Sequence, residues 1–396
     1  MNSATALRPI KIGLLWHSAS SANLGVGALT IANLAIARKA AADLGLDPRF
    51  HIIGMRDGNK TYVSPDEAEI FVVDTTSLFN PSGCWKVIGA QDCVVDIGAG
   101  DSFADIYGIK RFMFLWLTKM MAIVRGTPLL LAPQTIGPFT RFPYRQLARF
   151  VMERARAVVP RDRVSLDFLN ELAPKAHGVL SVDVAFALPY EDHSALRNGL
   201  KVRVGVNVSG LLFNLAEQGK NQFGLDADYA VLMRRFIGDL VKRPDTEVHL
   251  IVHVPSSIVG TDEDASLADR LAQEFPGVVR GPNFPGPSEA KSYISGLDFL
   301  VAGRMHACIA AFSAGVAVVP IAYSRKFSGL FEMLDYPWMV PVKGMDADRA
   351  YDFLMDCLER REELARAASD GMTKVEALQD AYRAELRTLF AEATAR

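Results

Sequence analysis

Short runs that are apolar throughout alternate with stretches of helical spacing along most of the chain. In the first half the apolar runs at 11–16, 50–53, 70–73, 93–97, 128–132 and 157–159 predict strands buried on both faces. Helical patterns cover 27–44, 111–124 and 142–155, and 162–172 and 179–182 complete the half. Between 188 and 201 the chain turns polar, with Pro189, Glu191, Asp192, His193, Asn198 and Gly199, which predicts a linker. The alternation then restarts, with strands at 203–208, 248–254, 278–279, 299–302 and 317–321. Helices are predicted at 228–242, 262–275, 288–295 and 307–314, and almost every residue from 346 onward is a helix former. The expectation is an α/β protein with two Rossmann-like, doubly wound domains facing a cleft. Their bounds are 1–190, and 200–396 with the C-terminal helices.

Two apolar stretches need testing as membrane spans. The run 112–124 is broken by Lys119, and 299–323 contains Arg304 and His306 and is divided by Gly303 and Gly315. Both read as buried α/β elements, so no transmembrane segment is expected.

A length of 396 residues suits two domains, and 50% hydrophobic with 22% charged residues excludes a disordered chain. Forty-three basic residues against 45 acidic ones leave a net charge of −2, so no nucleic-acid partner is expected. The four cysteines, Cys84, Cys93, Cys308 and Cys357, form no CxxC pair. That argues against a disulfide framework or structural zinc and fits a cytoplasmic location.

In doubly wound sheets ligands bind beyond the carboxyl ends of strands, so the chemistry is sought there. After the first strand, Asn23, Gly25, Gly27 and Ala28 allow close backbone approach, but Thr30 breaks the GxGxxG pattern. Gly98 and Gly100 end another strand, Gln134 the next, and Arg161 the one after. The strongest local signal is Gly303-Arg304-Met305-His306-Ala307, a cation and an imidazole inside an apolar run at a helix N-terminus. Arg304 can grip a carboxylate or phosphate with two parallel hydrogen bonds, and His306 can deliver a proton. Arg325 and Lys326 end the next strand and add two cations, which points to an anionic ligand. His249 and His253 stand in even register on one predicted strand, but two histidines without a third ligand make poor evidence for metal. Asp226-Ala227-Asp228 and Asp346-Ala347-Asp348 imitate a metal-binding DxD, yet each directly precedes a helix and reads as an N-cap.

These motifs in this order resemble the polysaccharide pyruvyl transferase family from about Lys11 to Leu334. The matching positions are Asn23, Gly25 and Ala28; Gly98 and Gly100; Gln134, Gly137 and Pro138; and Arg161, Asp162 and Ser165. They continue with Asp183 to Phe186, then Arg304, His306 and Ala307, and last Tyr323 and Lys326. The chain departs from the family pattern at Val26, where many members carry Asp, and at Ala99, where a third glycine is common.

The resemblance implies a GT-B-like fold and a phosphoenolpyruvate-dependent transferase that builds pyruvate ketals on sugars, with phosphoenolpyruvate as donor substrate and no metal or nicotinamide cofactor. His306 and Arg304 are then the catalytic candidates. Arg161, Lys326, Arg325, Asn23, Gly25, Gly98, Gly100, Gln134 and Asp183 are the substrate-binding candidates. Arg161 and Arg304 are expected on the donor's two anionic groups, Lys326 on phosphate and His306 as general acid. The N-terminal domain is the expected acceptor side and the C-terminal domain the donor side. The acceptor is a glycan, a nucleotide sugar or a lipid-linked sugar, the last compatible with a place at the membrane periphery. Two alternatives stay open: a GT-B glycosyltransferase using a nucleotide sugar, and a non-catalytic anion-binding protein on the same fold.

Overall fold

The first strand, β1 (Arg8–Leu15), is followed by helix α1 (Leu24–Ala42), strands β2 (Leu46–Gly54) and β3 (Glu69–Val72), and helices α2 (Thr75–Phe79) and α3 (Cys84–Gly89). Next come β4 (Cys93–Asp96), α4 (Ile109–Arg125), β5 (Leu129–Gln134), α5 (Tyr144–Met152), β6 (Ala157–Pro160) and α6 (Arg163–Leu172). The six strands form one sheet in the order β3-β2-β1-β4-β5-β6, and every pairing is parallel. All residues of β4, β5 and β6 are buried, as helices on both faces require. The computed structural model describes residues 7–55, 57–58, 60–255 and 262–396, without the side chains of Arg325 and Lys326.

A second sheet follows, ordered β11-β10-β7-β8-β9 and again parallel throughout. It is built from β7 (Val202–Asn207), α7 (Gly210–Glu217), α8 (Tyr229–Val241), β8 (Thr246–Leu250), α9 (Ala265–Glu274) and β9 (Val279–Arg280). The chain continues through α10 (Pro287–Ser295), β10 (Phe299–Ala302), α11 (Met305–Ser313), β11 (Ala317–Pro320), α12 (Arg325–Met333), α13 (Ala347–Glu359) and α14 (Arg361–Thr394). The stretch around Arg304 is thus strand, helix and strand, as its glycines suggest.

The chain divides into two compact units, and the division corrects the expected boundaries at both ends. Unit 1 holds residues up to Ser21, Leu29–Ala187 and Glu376–Arg396, and unit 2 holds Ala22–Ala28 and Leu188–Val375. The C-terminal segment belongs to unit 1 because Tyr382, Leu386, Leu389 and Phe390 are all fully buried. The Tyr382 hydroxyl donates to Asn33 Oδ1 at 2.7 Å, and Ser181 Oγ donates to the Leu378 carbonyl at 3.0 Å. The polar stretch read as a linker is a strap packed on unit 2. Glu191 N and His193 N donate to Ser292 and Ser295, and Arg197 donates to the carbonyls of Ser295, Ala314 and Gly315.

Lys119 explains how an apolar helix carries a charge. Its ammonium lies 2.7 Å from Asp96 Oδ2, with both side chains fully buried, and 4.4 Å from the centre of the Phe103 ring. Burial pushes the Asp96 carboxyl up and the Lys119 ammonium down, and each partner's charge offsets part of that. Helix α1 is long and apolar enough to cross a bilayer, but 72% of it is buried inside the protein. All four cysteines are buried free thiols.

Candidate functional site

In unit 2, β10 delivers Gly303 and Arg304 to its carboxyl end, and α11 starts at once with Met305 and His306. The turn is pinned from the neighbouring strand: Asn207 Oδ1 accepts from Arg304 N at 3.0 Å, and Asn207 O accepts from Gly303 N at 3.1 Å. Gly303 is required here, since a Cβ would lie 2.6 Å from the Tyr229 hydroxyl oxygen. Helix α11 has no side-chain N-cap, so its first turn offers backbone N–H groups and the positive end of the helix dipole.

Arg304 does not hold an open fork, which corrects its expected role as an anion grip. Its Nη2 donates to Asp264 Oδ1 at 2.7 Å and to the Asp262 carbonyl at 2.6 Å, and Nη1 donates to Asp262 Oδ1 at 2.8 Å. Nε also reaches Asp264, at 3.2 Å. Burial alone would lower the guanidinium pKa, but Asp264 and Asp262 hold it above its ordinary value. Asp264 is the hub of this region, accepting also from the amides of Gly210 at 2.9 Å and Val254 at 3.1 Å. Arg304 therefore positions the start of α11. An arginine already saturated by two carboxylates has little left for a phosphate.

His306 is half-buried at the second position of α11. Its imidazole lies against Gly25 so closely that a Cβ there would overlap the ring, which makes Gly25 a steric requirement of His306. Asn23 shapes this segment: its Oδ1 accepts from Gly25 N at 3.0 Å and its carbonyl from Val26 N at 3.0 Å. Leu24 N donates to the carbonyl of His253 at 3.3 Å, so His253 joins the same cluster. Burial first, then the nearby charges of His306 and Arg304, push the His253 pKa down to about 3 and keep that ring neutral. His253 lies beyond β8, while His249 bonds Glu247 and Tyr293, so the two do not share a strand face. The side chains of Arg325 and Lys326 lie outside those described.

Unit 1 gathers Gly98, Gly100, Gln134, Arg161 and Asp183 at the carboxyl ends of β4, β5 and β6. Gly98, Ala99 and Gly100 all have positive φ, at 52°, 50° and 85°. Their amides are consumed internally, by Asp96 Oδ1 at 2.7 Å, the Trp16 carbonyl at 3.2 Å and the Ile97 carbonyl at 2.8 Å. The glycine turn is therefore no phosphate cradle. What Gly98 provides is space, because a Cβ there would overlap Gln134 Oε1. Gln134 Nε2 donates to the Asp96 carbonyl at 2.8 Å. Arg161 Nη1 pairs with Asp183 Oδ2 at 2.7 Å in a buried ion pair, and its Nε donates to Thr135 Oγ1 at 3.1 Å. Arg161 is thus a paired cation, with Nη1 on Asp183 and Nε on Thr135, and it is less heavily engaged than Arg304.

Sequence reasoning missed Asp262 and Asp264, which lay in a stretch read as helix, and it missed the pairing of Asp183 with Arg161. An arginine in an apolar run demands an acid somewhere, but the run does not say which one. Asp228 and Asp346 cap α8 and α13, Asp228 accepting from Ala230 N at 3.0 Å and Asp346 from Arg349 N at 2.9 Å.

The class of protein follows from the two parallel sheets. The chain is similar to a UDP-N-acetylglucosamine 2-epimerase with a TM-score of 0.59 at 12% identity, over 98% of this chain and 97% of that one. It is similar to the S. aureus MnaA–UDP structure at 0.54 and 12%, with 91% of both chains covered. Against TcCGT1 in complex with UDP the score is 0.56 at 12% identity, over 97% of this chain and 100% of that one. The fold is GT-B-like. Within it the chain belongs to the polysaccharide pyruvyl transferase family, whose pattern matches residues 23–325. A relative, the amylovoran biosynthesis protein AmsJ of Erwinia amylovora, is 23% identical over 262 residues, 63% of this chain. The match spans 60% of that relative's length.

Proposed function

We propose that this protein transfers pyruvate from phosphoenolpyruvate to sugar hydroxyls of a glycan or glycan precursor in the cytoplasm, forming a pyruvate ketal and releasing phosphate. The observation that carries the reading is His306 at the start of α11, seated on Gly25 at the end of the family's Asn-x-Gly motif. Family membership supports the transferase class. His306, as imidazolium, gives its proton to the methylene carbon of the donor, and C2 becomes electrophilic. A sugar hydroxyl adds to C2 and gives up its proton, which restores the imidazolium charge. The C2–O bond to phosphate then breaks, and a second hydroxyl closes the ketal with loss of its own proton. The uncapped first turn of α11 offers N–H groups to an anion, and Lys326 is assigned to phosphate. Arg304 acts through Asp262 and Asp264 by fixing where α11 begins.

Thermal-shift titration with phosphoenolpyruvate and, separately, UDP-glucose tests the donor. Stabilisation by phosphoenolpyruvate is expected, and stabilisation by UDP-glucose alone would favour a glycosyltransferase. For the acid, His306→Ala is expected to lower phosphate release by about 10²–10⁴-fold, the usual contribution of a general acid. Wild-type turnover in that variant would remove His306 from the mechanism.

A further inference from the structure

Large apolar side chains stand in solvent on one region of unit 1. Phe142 is 83% exposed, Ile109 64% and Ile106 61%. Two loops bring them together. Asp105 Oδ2 accepts from the amides of Thr140 at 2.6 Å and Arg141 at 3.1 Å, and Asp105 N donates to the Pro138 carbonyl at 3.0 Å. Behind the loops Phe112 packs edge-on against Tyr144 at 4.7 Å, which ties the start of α4 to the start of α5. The apolar surface continues into a cavity of about 310 Å³ lined by Trp16, Met55, Tyr107, Phe114 and Leu115, with Lys110 and Arg111 beside it.

Cations outnumber acids here, although Asp101 accepts from the Tyr107 hydroxyl at 2.8 Å at the edge of the patch. Segments 104–112 and 138–145 contain Lys110, Arg111, Arg141 and Arg145 and a single acid, Asp105, in a chain whose net charge is −2. Asp105 is spent on the amides of the facing loop. Arg145 pairs with Glu171. Among the described residues Lys110, Arg111 and Arg141 have no carboxylate partner; Arg111 donates to Ser102 Oγ at 2.5 Å and lies 5.1 Å from the centre of the Tyr107 ring. Exposed aromatic and branched side chains ringed by unneutralised cations match the boundary of an anionic bilayer, where apolar groups enter the acyl region and cations meet phosphates.

We propose that unit 1 docks on anionic phospholipid through the loops at 104–110 and 138–143, with Ile106, Ile109 and Phe142 inserted and Lys110, Arg111 and Arg141 on the headgroups. The proposal does not rest on the reaction assigned to His306. Its test is sedimentation of the full-length protein with phosphatidylglycerol/phosphatidylcholine vesicles and with pure phosphatidylcholine vesicles, without substrate. Binding to the anionic vesicles only, weakened by salt, is expected. The K110E/R111E variant should lower partitioning about tenfold or more, and I109S/F142S by a similar factor, from loss of charge and of apolar insertion respectively. The two variants test separate contributions, and the thermal midpoint of each shows that it is folded. Equal or absent sedimentation of the wild-type protein with both vesicle types, or wild-type sedimentation of both variants, would overturn the proposal.

Discussion

Gly25 and His306 are coupled by sterics, and the coupling can be measured. Adding a methyl group at Gly25 forces the imidazole or the Asn23 loop to move. Overpacking of this kind costs about 1–3 kcal/mol. Gly25→Ala alone should therefore lower the urea midpoint and also displace the imidazole proposed as general acid. In a His306→Ala background the overlap with the ring is gone and only the 3.1 Å approach to Asn23 Oδ1 remains, so the same substitution should cost less. A double-mutant cycle by urea unfolding isolates the pair, and additive costs would show that Gly25 serves the backbone and not the ring. Arg304 gives the opposite kind of prediction. Asp264→Ala leaves a buried guanidinium without its main partner, and breaking such a pair costs about 3–5 kcal/mol. Lost phosphate release in that variant would accompany a large fall in stability. In His306→Ala the two should separate.

At the scale of elements, the tail of α14 carries a prediction that the chain order hides. Tyr382→Phe removes the donor to Asn33 Oδ1, and a buried acceptor left without its partner costs about 1–3 kcal/mol. Leu386→Ala at a fully buried position should cost about 2–5 kcal/mol. Thermal unfolding checks both, and a neutral effect of Leu386→Ala would mean that the tail is not part of the unit 1 core. The strands β4, β5, β6, β10 and β11 were legible in the sequence because their runs are almost wholly apolar, as burial on both faces of a sheet requires. The place of His306 was legible because ionisable groups are scarce in that run. What stayed hidden depends on long-range pairing. Asp264 lies 40 residues before Arg304, and nothing local marks it as the partner. Helix α14 is amphipathic wherever it packs, so its pattern cannot say that residues from Glu376 onward fill unit 1. Helices α2, α3 and α7 are short and sit in stretches that lack a clear helical period.

For the whole molecule, each unit holds a buried imidazole that stays neutral, and together they make stability depend on pH. In unit 1, His17 Nδ1 donates to the Leu15 carbonyl at 3.1 Å, and Nε2 accepts from Asn33 Nδ2 at 2.8 Å. Burial pushes its pKa down to about 3, as it does for His253 in unit 2. An unfolded chain protonates these rings near pH 6.5. Between that pH and about 3 the unfolded state thus binds protons that the folded state refuses, so folding stability falls as the pH falls. Above about pH 6.5 both states are neutral at these positions and the effect is absent. Each ring contributes at most about 1.4 kcal/mol per pH unit within the window. Urea midpoints measured from pH 7.5 down to 4.5 should decline below 6.5, and His253→Gln, which does not titrate, should flatten the decline. An unchanged slope in His253→Gln would mean that His253 takes up its proton without unfolding unit 2. The ring would then be reachable by solvent acid in the folded protein, and its positive charge would be added beside Arg304 and His306.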